Sequence, residues 1–275
     1  MELNYKLIAI DMDGTLLNSN KEISERNKKA LKVATEKGVQ VVISTGRIFT
    51  SARYYAKLLG LITPIISCNG AYVCEYHRKN VLYENPMETV DFKEIIKTLQ
   101  ENDFYYHFYD NENFYTRELN YSSSSYYNWN KKQKPGDRIN IEIIDNPMEL
   151  VEEKELKIYK IVAVDKDREK LDYIRKVLSK NKNIEIVSSW SDNIEIMNKG
   201  VSKGKALEKL CKIYNISKEQ VIAIGDNYND IPMLEFAGTA VAMGNGEEDA
   251  KKIADIVTDT NDNDGVAKAI EELIF

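Results

Sequence analysis

The sequence predicts a doubly wound α/β fold: a Rossmann-like parallel-sheet core with an α+β domain inserted into it. Three observations carry that prediction. Short, wholly apolar runs alternate with amphipathic stretches at both ends of the chain, as buried parallel strands and covering helices do. The middle of the chain changes texture, with 11 of the 26 aromatic residues between Phe104 and Trp129. The alternating pattern then resumes, so the two flanks belong to one sheet and the middle to another.

In chain order, Lys6 to Ile10 (KLIAI) fits a buried strand. Ser24 to Lys37 is amphipathic, with Ser24 as N-cap and Gly38 as its stop. Val39 to Ser44 is a second strand, about Arg47 to Leu59 a second helix, and Pro64 to Cys68 a third strand ending at Asn69-Gly70 and followed by strand-like AYVCEY. Strand, helix, strand, helix, strand is the signature of a parallel sheet. In the insert, strands are expected at Phe104–Tyr109, Ile141–Ile144, Leu156–Val164 and Ile184–Ser188, and helices around Val90–Gln100 and Asp167–Lys180. The alternating tyrosines could stack on bases, but in an acidic domain they read more readily as sheet core and as the floor of a lid. Beyond it come a helix at Lys203–Tyr214, a strand at Val221–Ile224, a short helix at Asp230–Phe236, a strand at Thr239–Ala242, and helices at Glu247–Ala254 and Gly265–Ile274. The core is therefore assigned to residues 1–83 and 191–275, and the insert to 84–190.

Composition narrows the function. The 275 residues carry 38 basic and 44 acidic side chains, a net charge of −6, and the insert alone has 17 basic against 21 acidic. That balance gives no reason to expect a nucleic-acid partner. Three cysteines without a C-x-x-C pair suit reduced thiols and a cytoplasmic protein. The first residues lack the basic flank and apolar stretch of a leader, and the longest charge-free run, Leu58 to Cys74, is broken by Gly60, Pro64 and Asn69-Gly70. Neither a membrane association nor an obligate protein partner is expected.

Ligands of doubly wound sheets sit beyond the carboxyl ends of the strands, which directs attention to Asp11, Thr45 and Asp226. In Asp11-Met12-Asp13-Gly14-Thr15, residues i and i+2 point to one side, so both carboxylates can face one site. Two facing carboxylates repel unless a cation or a shared proton relieves them, and a hard cation such as Mg2+ suits oxygen ligands. Gly14 lets the chain turn and its amides approach an anion. Thr45-Gly46 offers a hydroxyl and an open amide to a phosphate oxygen. Lys203, in a Gly-bounded segment that opens a helix, reads alone as a surface lysine. His77 and His107 lack metal-ligand spacing and read as structural or exposed, Arg47 as a helix-start surface residue with a substrate contact as the alternative, and Lys131–Lys134 (KKQK) as a solvated loop.

DMDGTLL (Asp11–Leu17), ISTGR (Ile43–Arg47), SCNGA (Ser67–Ala71), KGVSKGKAL (Lys199–Leu207), GDNYNDIPML (Gly225–Leu234), VAMGNG (Val241–Gly246) and DGVAKAI (Asp264–Ile270) together resemble the haloacid-dehalogenase-like hydrolases. The resemblance is to the Cof-type subfamily, with its large type IIB cap inserted between the second and third motifs, and it spans the chain. It implies a Mg2+-dependent phosphatase acting on small phosphorylated metabolites through an aspartyl-phosphate, with sugar phosphates first and other organic phosphates, flavin phosphates or pyridoxal phosphate as alternatives. Asp11 would be the nucleophile and Asp13 the acid and base, roles that phosphoryl transfer requires on general grounds. Met12, Thr45, Gly46, Lys203 and Asn229 would bind the phosphate. Asp11, Asp226 and the Asp13 carbonyl would hold the metal, and Asp230 would stand behind them, holding Lys203 or a metal water. A phosphomutase shares these parts. A phospho-accepting signalling receiver is about half this length, and a sugar-phosphate-binding protein without turnover does not need both Asp11 and Asp13.

Overall fold

The computed structural model describes residues 5–275; the first four, part of the segment read as lacking a leader, lie outside the described residues. In chain order the first elements are β1 (Leu7–Ile10), α1 (Glu25–Glu36), β2 (Gln40–Ile43) and α2 (Phe49–Leu58), then the short strands β3 (Ile65–Ser67), β4 (Tyr72–Cys74) and β5 (Val81–Glu84). The middle of the chain contributes α3 (Thr89–Glu101), β6 (Tyr105–Tyr109), β7 (Asn113–Thr116), α4 (Tyr121–Asn130), β8 (Asn140–Ile143), α5 (Pro147–Glu153), β9 (Lys160–Val164), α6 (Arg168–Leu178), β10 (Ile184–Val187) and β11 (Asn193–Asn198). The chain closes with α7 (Lys203–Tyr214), β12 (Val221–Gly225), α8 (Ile231–Phe236), β13 (Thr239–Ala242), α9 (Glu248–Ile253), β14 (Ile256–Val257) and α10 (Gly265–Ile274).

The core sheet has the order β14-β13-β12-β1-β2, parallel throughout. Its central strands β1 and β12 carry no polar side chain and are buried at every position because both faces are covered. Ile8, Ile10, Ile222 and Ile224 pack with residues of α1, α2 and α10, while Leu7, Ala9, Val221 and Ala223 pack with α7, α8 and α9. β1 and β12 run side by side, Leu7 against Val221 through Ile10 against Ile224, so Asp11 and Asp226 emerge at neighbouring strand ends.

The third expected strand departs from the prediction. β3 meets the parallel sheet through one bridge, Ser44 to Ile66, and otherwise forms an antiparallel sheet with β4 and β5. The reversal lies in the backbone of Cys68, Asn69 and Gly70, with φ of 50°, 56° and 97°. Three successive left-handed residues turn the chain back before a helix can begin.

The second sheet has the order β10-β11-β9-β6-β7-β8, antiparallel except for β7 beside β8. On one face Tyr106, Phe108, Tyr115, Ile161 and Ile194 pack under α3, α5 and α6. The alternate residues, Tyr109, Phe114, Val162 and Met197 among them, join the apolar cluster of the core. Part of the tyrosine-rich stretch is thus sheet, as its alternation suggested, but residues 121–130 are helical. Asn120 and Ser123 form a capping box that starts that helix, a signal the alternation masked. β11 lies beyond the boundary expected at 190/191. It pairs with both β9 and β10, so the second sheet continues to Asn198. The two crossings between sheets are joined: Asn85 Nδ2 donates to the Lys199 carbonyl at 3.0 Å, and Asn198 Nδ2 donates to Asn85 Oδ1 at 2.7 Å. Among the described residues no helix is long and apolar enough to cross a membrane.

Candidate active site

β1 ends in a buried carboxylate. The Asp11 amide still donates to the Ile224 carbonyl at 3.0 Å, so the parallel ladder aims the residue. Lys203, at the start of α7, is fully buried and places Nζ 2.5 Å from Asp11 Oδ1 and 2.6 Å from Asp230 Oδ1. Taken alone Lys203 reads as a surface lysine, and in its motif as the cation beside Asp11; here the ammonium sits between two carboxylates. The other Asp230 oxygen accepts from the amides of Asp226 and Asn227, at 2.9 and 3.0 Å. Asp226 Oδ1 accepts from the Thr15 hydroxyl at 2.6 Å. Gly14 (φ 84°) lies directly against the Asp226 carboxylate, where a Cβ would overlap it.

Asp11, Asp226 and Asp230 each bring one oxygen within 4.8 Å of the others. Asp230 is already saturated by Lys203 and two amides, which leaves Asp11 and Asp226 as the carboxylates with a free oxygen. Burial, reinforced by Asp230 and Asp226 and opposed by Lys203, pushes the Asp11 carboxyl well above its ordinary range. Burial and Asp230 raise Asp226 to about 7. Burial works against the Lys203 charge, yet Asp11 and Asp230 hold its pKa above the usual lysine range. Three carboxylates share one ammonium, so the set carries an uncompensated negative charge on hard oxygen donors. A divalent cation such as Mg2+ fits that donor set.

The Asp13 side chain turns away from this cluster. Arg47 grips it with Nε at 2.6 Å and Nη2 at 2.7 Å, and Lys21 adds a contact at 3.0 Å. Burial favours the neutral acid, but the guanidinium and then the ammonium hold the Asp13 carboxyl far below its usual range. Arg47 is therefore no surface residue. It precedes α2 on the turn after Thr45-Gly46, lies 5.2 Å from the Tyr55 ring, and points into the site.

Thr45 is buried, and its Oγ1 accepts from the Arg47 amide at 3.2 Å. The Gly46 carbonyl accepts from Lys160 Nζ at 2.8 Å. Asn229 Nδ2 donates to Asn69 Oδ1 at 3.2 Å. The Met12 side chain is buried in the apolar cluster and its carbonyl accepts from the Leu17 amide at 2.9 Å, so only its own amide could serve an anion. His107 is a buried neutral residue stacked 4.5 Å from Phe114 and hydrogen-bonded to the Tyr109 hydroxyl. Sequence reasoning kept a site role for Arg47 only as the lesser alternative and missed Asn69, Lys160 and Glu195. Only the lone charges inside the apolar strands KIVAV and NIEIMN hinted at the last two.

Paired carboxylates at adjoining strand ends of an open α/β sheet mark the place where a ligand binds. The sequence profile of the family described as haloacid dehalogenase-like hydrolase matches residues 8–270. The chain is 36% identical to Phosphatase YwpJ of Bacillus subtilis (strain 168), over 98% of this chain and all of that one. It is 34% identical to Pyridoxal phosphate phosphatase YbhA of Escherichia coli (strain K12), over 98% of each. A solved haloacid dehalogenase-like hydrolase from B. subtilis superposes with a TM-score of 0.87 at 33% identity, covering 98% of this chain and 100% of that one. The protein belongs to the haloacid dehalogenase-like hydrolase family, and within it to the phosphoric monoester hydrolases.

Proposed function

We propose that the protein hydrolyses small phosphorylated metabolites by phosphoryl transfer to Asp11, with Mg2+ held by Asp11, Asp226 and the Asp13 carbonyl. The observation that carries this reading is the placement of Lys203 between Asp11 and Asp230, with Asp226 at their side. A nucleophilic carboxylate needs its charge restrained but not removed, and a fixed ammonium does that without competing for the second oxygen. An Asp11 oxygen bonds to phosphorus as the ester P–O bond breaks, and Asp13 gives the leaving oxygen a proton. Water then attacks phosphorus, Asp13 takes the water's proton, and Asp11 is released with inorganic phosphate. The Arg47 fork favours ionised Asp13, the form the water step needs; the first step requires Asp13 to leave that fork protonated. Thr45, the amides of Met12 and Gly46, Lys203 and Asn229 supply donors for the phosphate oxygens. Mg2+, when bound, neutralises phosphoryl charge and orients the ester.

Residues 85–198 are read as a lid whose inner face excludes water and meets the leaving group. Sugar phosphates are the first substrate class. A second reading, esters whose alcohol carries a planar ring, is favoured by the aromatic side chains on that face. Tyr109 and Phe114 pack toward the core, and Tyr126 packs edge-on to Phe114 with ring centroids 5.6 Å apart. Pyridoxal phosphate, named for YbhA, represents this class. The test is inorganic phosphate release from a panel of both classes, with Mg2+ and with chelator. Mg2+-dependent release supports the reading. Migration of the phosphoryl group without release would identify a mutase instead, and binding without either would remove the enzyme.

A further inference from the structure

Two charged side chains of the second sheet end inside the first domain's site. Lys160, at the start of β9, and Glu195, on β11, pair at 2.8 Å and are both almost completely buried. A buried pair gains stability only if its remaining donors and acceptors are satisfied. Here they are satisfied largely by core groups. Lys160 Nζ donates to the Gly46 carbonyl at 2.8 Å, and Glu195 Oε2 accepts from Asn69 Nδ2 at 2.5 Å. Ser189 Oγ donates to Glu195 Oε1 at 2.8 Å, and the Ser189 carbonyl accepts from Asn227 Nδ2 at 3.1 Å.

Each contact stands one bond from a group assigned to the phosphate. The peptide whose carbonyl Lys160 holds is the one whose N–H, on Arg47, donates to Thr45 Oγ1. With one of its two lone pairs so engaged, the Thr45 hydroxyl keeps its O–H to donate outward. Asn69, which gives its N–H to Glu195, uses its oxygen to hold the Asn229 amide at 3.2 Å. The fit is close: a Cβ on Gly46 would stand 2.7 Å from Asn69 Oδ1 and 3.1 Å from Lys160 Nζ. We infer that Lys160 and Glu195 are positioning residues that assemble the phosphate cradle from the lid, Lys160 through the Gly46–Arg47 peptide and Glu195 through Asn69 and Asn229. The inference rests on the phosphatase reading for what the cradle holds, and couples lid closure to phosphate affinity without a lid residue touching phosphate.

The test is inorganic phosphate binding to the full-length, Mg2+-supplemented protein, by calorimetry, beside inhibition of p-nitrophenyl phosphate hydrolysis by phosphate. The variants are Glu195→Gln, the double variant Lys160→Met/Glu195→Gln, which leaves no lone buried charge, and Asn69→Gly, which cuts the link while permitting the left-handed backbone. Phosphate should bind about tenfold more weakly in the double variant and in Asn69→Gly, the scale of a lost charge-assisted hydrogen bond. A role in stability alone would lower the melting temperature and leave phosphate affinity at the wild-type value; that result, in folded protein, overturns the inference. Calorimetry needs no turnover, so a wild type that binds phosphate but hydrolyses no ester would defeat the proposed function while leaving the inference to be decided by the variants' affinities.

Discussion

Lys203 holds the centre of the site because each of its neighbours needs it. Fully buried, it is stable as an ammonium only between Asp11 and Asp230. Replacing it with methionine leaves three buried carboxylates without a counter-charge. Lys203→Met should destabilise the fold by about 3–5 kcal/mol, the scale of a broken buried pair, read as a shift of the denaturant midpoint. Asp11→Asn is milder for the fold, since Lys203 keeps Asp230. Turnover should nevertheless vanish in that variant, because the amide cannot attack phosphorus; steady-state phosphate release from the purified, folded variant checks this. Asp11, Asp13, Thr45 and Asp226 were legible in the sequence because each follows an apolar run at a strand end. Arg47 was so only as a lesser alternative, since what makes it a site residue is Asp13, 34 positions away.

Local signals explain most elements. Ser24 caps α1 by accepting from the Asn27 amide at 3.1 Å, and Ser24→Ala should cost about 1 kcal/mol of stability, measured by chemical denaturation, with activity unchanged. Gly14 has the opposite profile. Its φ of 84° and its contact with Asp226 leave no room for a Cβ. Gly14→Ala should therefore leave the sheet intact but raise the Mg2+ needed for half-maximal activity at least tenfold, checked by a Mg2+ titration. Elements specified by their neighbours escaped the sequence. The alternating NIEIMN of β11 is a strand in either sheet, and only its pairing with β9 and β10 decides which. Tyr121–Asn130 carries strand-like aromatics, but its capping box sets a helix. The reversal after β3 depends on left-handed Cys68 and Asn69, of which only the Asn-Gly pair was a visible turn signal.

At the scale of the molecule, the two sheets share an apolar cluster and meet at the strand ends that carry the carboxylates. Both crossings between them are tied at Asn85, so the insert can leave and re-enter the core at one place. That geometry suits a hinged lid. The donor set of Asp11 and Asp226 predicts that exhaustive chelation abolishes phosphate release and that added Mg2+ restores it, with no change in the circular dichroism of the fold. The account's central claim, phosphoryl transfer to Asp11, is tested most directly by acid-quenching the enzyme during turnover and mapping the phosphorylated peptide by mass spectrometry. The account predicts one added phosphoryl group on the peptide containing Asp11, absent from Asp11→Asn. A phosphoryl group on any other residue, or ester hydrolysis by Asp11→Asn at the wild-type rate, would contradict it.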